Sequence, residues 1–145
     1  MTAQTPVSTQ PVRLTGVQVL VNGVLAIAVA VIANIVTRFI LGLVVAIPSN
    51  FPPMMSLPIV FFTTLYGVIA TMIYLVINRV VGNPQRVWLI VVIIGFVLAS
   101  LPNLALAANP AAAPFSGGTA QLYLLLLVYH VVALLIYFFL IPRRR

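Results

Sequence analysis

Four apolar runs, each about the length that crosses a bilayer, are separated by short segments built from proline, asparagine, glycine and arginine. At a rise of about 1.5 Å per residue, roughly 20 helical residues span the hydrocarbon core. No water is available there, so every backbone N–H and C=O must be paired within its own segment, and single runs of this kind fold as α-helices. The expectation is an all-α integral membrane four-helix bundle of antiparallel up-down form, a multi-pass protein of a cell membrane.

The first span starts at Val17 and reaches the far interface near Arg38. The apolar residues 39–47 that follow are too few to cross again, so they either prolong a tilted helix or lie in the interface. Pro48, Pro52, Pro53 and Pro58, with Ser49 and Asn50, make the next loop incompatible with helix. The second span runs from Leu57 to Ile77, and Gly82-Asn83-Pro84 then turns the chain into the third, Val87 to about Ala108. So short a link makes these two helices antiparallel neighbours. After an uncharged loop from Asn109 to Thr119, the fourth span runs from Leu122 to Ile141. Residues 1–16 form a polar N-terminal tail and residues 142–145 a basic C-terminal one. Ala28-Val29-Ala30 has the small-x-small form that signal peptidase cleaves, but the run outlasts the roughly 7 to 15 residues of a signal peptide, so a retained helix is expected.

Composition removes many chemistries. Of 145 residues, 63% are hydrophobic and 5% charged, against the roughly 25% charged of a soluble domain. All seven charges are arginines, and the chain has no Asp, Glu, Lys or Cys. A paired-carboxylate site, a Ser-His-Asp triad, a thiol nucleophile and a carboxylate cage for Mg²⁺ or Ca²⁺ are therefore beyond it. A self-contained enzyme or ion-coupled carrier is not expected, and neither is a resident metal or cofactor. The pI near 11.3 does not indicate nucleic-acid binding, because the arginines stand at the ends of apolar runs and form no solvated basic face.

Those arginines set the expected orientation. Arg13, Arg79, Arg86, Arg143, Arg144 and Arg145 fall on one side of the four spans, while the loops on the other side carry no charge. The positive-inside rule places that side, with both termini, in the cytoplasm.

Small residues let transmembrane backbones approach where lipid offers no hydrophobic drive. The first helix carries such a stripe at Asn22, Ala26, Ala30, Asn34, Arg38, Gly42 and Ala46, and the third repeats it with Gly95, Ala99 and Asn103. The faces of Ala26 and Ala30 and of Gly95 and Ala99 are expected to pack on each other inside the molecule; the alternative is that one of them is an interface to a second copy or a partner subunit. Gly67 with Thr71 is a weaker version on the second helix.

By depth, the polar residues within the spans converge in the outer half of the bilayer: Asn34, Arg38, Thr63, Thr64, Ser100, Asn103 and His130. Each costs free energy if left bare in hydrocarbon, so they should face one another or a cavity. His130 is expected to hydrogen-bond Asn34, Asn103 or Ser100. Arg38 has no acid in its own chain and must reach headgroups, water or a foreign carboxylate.

Ala33-Asn34, Leu98-Ala99-Ser100-Leu101-Pro102 and Tyr129-His130-Val131-Val132-Ala133 give the chain a resemblance to a bacterial family of small four-helix integral membrane proteins known only as a domain of unknown function. The resemblance implies fold and topology and a bacterial inner membrane, and no activity. The function expected is that of a non-catalytic small membrane protein, structural or an accessory subunit of a membrane complex. Its partners would be the lipid bilayer and another membrane protein or a second copy, with no nucleic acid. The alternatives are a passive small-molecule or lipid binder or transporter using the outward polar layer, and a haem- or pigment-carrying subunit through His130.

Overall fold

The structure is a computed structural model that describes residues 13–115 and 117–144. Most of the expected N-terminal tail, residues 1–12, lies outside the described residues, as do Ser116 and Arg145. The described residues form four α-helices and no strand: α1, Gly16–Val44; α2, Ser56–Val80; α3, Pro84–Ala108; and α4, Ala120–Leu140. Each is long and apolar enough to cross a membrane, and the chain is a multi-pass membrane protein.

Local chemistry explains where the helices begin and end. Thr15 caps α1 through a capping box: its hydroxyl accepts from the Gln18 N–H at 3.2 Å, and its own N–H donates to Gln18 Oε1 at 2.9 Å. α1 then runs through Arg38 to Val44, which makes residues 39–44 a prolongation of the helix. Its 29 residues extend about 44 Å, well beyond the roughly 30 Å hydrocarbon core, so α1 must tilt or project. Pro58, grouped with the loop prolines although the expected span starts at Leu57, lies in the first turn of α2. The amides of a first turn have no intrahelical acceptor, so proline costs nothing there. Pro84 opens α3 behind the Asn83 cap for the same reason.

The helices are arranged in a ring. α1 packs on α2 and on α4, and α3 packs on α4, but α2 and α3 touch only sparsely. Hydrogen bonds fix how the ends meet. Asn78 near the end of α2 donates to the Leu14 carbonyl ahead of α1 at 2.7 Å, and Arg13 donates to the Arg79 carbonyl. Asn22 donates to the carbonyls of Ile141 at 3.1 Å and Arg143 at 2.7 Å, closing the end of α4. Two groups of buried side chains fill the ring, one around Val19, Tyr74, Trp88 and Tyr137 and one around Phe51, Met54, Leu122 and Tyr123.

The close-packed seam is not the expected one. Ala26 and Ala30 are fully buried, yet they face α2 and α4, because α1 and α3 stand diagonally across the ring. The tight contacts are between α1 and α2. A Cβ on Gly23 would meet the Thr71 side chain at 2.4 Å, and one on Gly67 would meet Ile27 Cγ1 at 2.4 Å and the Tyr137 hydroxyl at 2.9 Å. A Cβ on Gly95 would meet nothing within 4 Å, and Ala99 borders open space. On α3 the small residues leave a gap and do not close one.

Candidate functional site

That gap is a cleft between α2 and α3 with α4 as its floor. Toward the proline-rich loop it opens to about 440 Å³, bounded by Asn34, Thr63, Asn103, Tyr129 and His130 among apolar neighbours. A narrower stretch of about 180 Å³ continues along the seam past Ile69, Gly95 and Phe96 to Trp88, with almost wholly apolar walls. Tyr66, Ala99, His130 and Ala133 border both parts, so His130 stands where the wider chamber, mostly apolar but with several polar side chains at its border, meets the apolar trough.

Four of the expected polar residues meet in two pairs. Asn34, 1% exposed, donates from Nδ2 to Thr63 Oγ1 at 2.9 Å, linking α1 to α2. Asn103 Nδ2 lies 3.4 Å from His130 Nδ1, the amide donating and the ring nitrogen accepting, which links α3 to α4. The Tyr66 ring stands edge-on to the imidazole, centroids 6.4 Å apart. The other three lie apart. Arg38 turns to the loop, where its Nε donates to the Met54 carbonyl at 2.8 Å. Thr64 is half-buried, and its hydroxyl makes no hydrogen bond among the described residues. Ser100 is buried, and its hydroxyl has no partner among the described residues.

Read from the sequence, Tyr123, Tyr129 and Tyr137 are interface and packing aromatics; the structure adds a hydrogen bond for Tyr137. Tyr137 donates its hydroxyl to the Thr63 carbonyl at 2.6 Å, joining α4 to the Asn34–Thr63 pair. Tyr123 stands edge-on to Phe51 at 5.3 Å, and the hydroxyls of Tyr123 and Tyr129 lack partners among the described residues. The Asn34 Oδ1 atom is likewise without one. A signal was present: Tyr123, His130 and Tyr137 are spaced by seven, which places them along one face of α4.

The cleft borders carry no charged residue, and among the described residues no group of three metal-ligating side chains occurs. The arrangement offers hydrogen bonding to a neutral polar group at one end and an apolar trough for a chain at the other. Comparison with protein-family models, with curated proteins and with solved structures finds no match to this chain.

Proposed function

We propose that the chain is a non-catalytic protein of a bacterial inner membrane, with its arginine-rich end in the cytoplasm, whose working part is the α2–α3 cleft. In this reading the cleft takes up a neutral amphipathic small molecule or lipid from the bilayer. The observation that carries it is that the chamber around His130 and the apolar trough adjoin, sharing Tyr66, Ala99, His130 and Ala133 in their walls, a shape matched to one polar head and one chain. A neutral head suits a chamber bordered by Asn103 and His130, and a charged head would find no counter-charge there.

The test is photolabelling of the full chain in phosphatidylcholine vesicles with a diazirine-bearing fatty alcohol and its fatty-acid counterpart. The alcohol should label residues on both sides of the α2–α3 seam, more strongly than the acid, and Ala99→Phe should suppress that labelling while the helix content is kept. Equal labelling of all outward faces, unchanged by Ala99→Phe, would remove the cleft from consideration. Orientation is tested by single cysteines at Ser49 and Gln85 in intact cells, where an impermeant thiol reagent should reach only the first.

A second reading rests on α3, the helix with the smallest share of its residues buried within the bundle. As an accessory subunit, the chain would offer the α2–α3 face to a transmembrane helix of another protein. Co-purification in mild detergent that Ala99→Phe abolishes, with no labelling by either lipid probe, would favour this reading over the first.

A further inference from the structure

At the end of the bundle opposite the proline-rich loop lies a second cavity, separate from the cleft. Its volume is about 190 Å³. On a scale where one water takes about 10–15 Å³, it has room for a phosphate group and the glycerol that it esterifies. Three remote parts of the chain wall it: Arg13 ahead of α1, Tyr74 and Asn78 late on α2 with Asn83 at the start of α3, and Arg144 after α4.

Its chemistry is one-sided. Two guanidinium groups border it in a chain without a single Asp or Glu. Tyr74 is 2% exposed, packs edge-on to Trp88 at 5.1 Å, and borders the cavity with no hydrogen-bond partner among the described residues. Asn83 accepts from the Arg86 N–H through Oδ1, which leaves its amide N–H groups free to donate. The Leu14 carbonyl in its wall is taken by Asn78, and the Arg79 and Arg143 carbonyls, each next to a lining residue in the chain, by Arg13 and Asn22. The start of the 25-residue α3 adds the positive end of its dipole.

We propose that this cavity is a binding site for a phosphate-class anion, gripped by Arg13 and Arg144 and hydrogen-bonded by Tyr74 and Asn83. Guanidinium groups match phosphate oxygens in pairs, and a buried hydroxyl donor adds selectivity that a loose basic surface lacks. The ligand is the headgroup phosphate of an anionic phospholipid or a free phosphate ester, and both present the same oxygens.

Native mass spectrometry of the full chain in detergent, after delipidation, tests this with phosphatidylglycerol, phosphatidylcholine and inorganic phosphate. The wild type should retain phosphatidylglycerol over phosphatidylcholine. Arg144→Gln should weaken retention about fivefold, in line with the usual worth of one juxtamembrane arginine. Tyr74→Phe keeps the charge and the ring packing and should also weaken it. Displacement of the lipid by inorganic phosphate assigns the site to free phosphate esters, and resistance to displacement assigns it to lipid. Equal retention of the two lipids with no phosphate adduct would overturn the proposal. So would an Arg86→Gln variant, altered outside the cavity, that loses as much as Arg144→Gln while Tyr74→Phe loses nothing, since that pattern describes diffuse surface attraction.

Discussion

Replacing glycine by alanine at two positions should give effects of opposite sign, because the two glycines face different surroundings. A Cβ on Gly67 would sit 2.4 Å from Ile27 Cγ1, a full ångström inside the 3.4 Å where ordinary contact begins, and 2.9 Å from the Tyr137 hydroxyl. Ile27 Cγ1 is the stem of a side chain held in the α1–α2 seam, so relief requires the helices to part. Overpacking of this kind costs about 1–3 kcal/mol. Part of it is offset by the better helix propensity of alanine, about 0.5–1 kcal/mol. Displacement of the tyrosine also threatens its 2.6 Å bond to the Thr63 carbonyl. The net expectation for Gly67→Ala is a loss of about 1–2 kcal/mol. Gly95→Ala meets nothing within 4 Å and keeps only the propensity gain, so it should be neutral or slightly stabilising. Unfolding in mixed micelles by SDS titration, followed by far-ultraviolet circular dichroism, measures both. If Gly95→Ala proves as costly as Gly67→Ala, α3 is packed against a neighbour and both the seam and the cleft have been placed wrongly.

Asn22→Ala removes both hydrogen bonds that close the end of α4; it should cost about 1–2 kcal/mol in the same titration and speed amide exchange in the last turn of α4. Asn34→Leu cuts the link to Thr63 but also removes a buried acceptor without a partner among the described residues. The two effects oppose, so its cost should fall below about 1 kcal/mol, the usual scale of an interhelical hydrogen bond in a membrane; a loss several times larger would show that Asn34 has further partners.

The helices were legible because run length alone identifies a span, and no helical period had to be found. Pro58 reads as a breaker beside Pro52 and Pro53, and only its position within a first turn makes it harmless. Depth along each run brought Asn34 together with Thr63 and Asn103 with His130, since residues at one level of a bilayer are the ones available to pair. Small-residue stripes were less informative. They record that something approaches, or that space is left open, but not which, so Gly67 and Gly95 look alike until their neighbours are known. Asn22 and Asn78 act on backbone carbonyls delivered by distant parts of the chain, and a carbonyl leaves no mark in a sequence.

The polar bonds are unevenly shared, and this decides which part of the bundle can yield. α1 and the residues that flank it are tied to α2 or to the end of α4 by Arg13, Leu14, Asn22 and Asn34, and its packing on α2 is tight enough to exclude a Cβ. α3 is joined to another helix by a single side-chain hydrogen bond among the described residues, Asn103 with His130, at a long 3.4 Å. A helix with few hydrogen-bonded ties and an open flank is the element expected to move at least cost, which predicts that any widening of the cleft displaces α3 and breaks the Asn103–His130 contact. The chain has no native cysteine, so spin labels can be placed without background. Pulsed electron resonance with labels at the exposed Val68 and Val97 should give a broad α2–α3 distance distribution, whereas labels at Val29 and Val68 should give a narrow α1–α2 one. Asn103→Leu should broaden the first and leave the second unchanged. Equal widths in the parent protein, or a broadened α1–α2 distance in the variant, would show that α3 is held as firmly as the rest and that the cleft is a fixed groove.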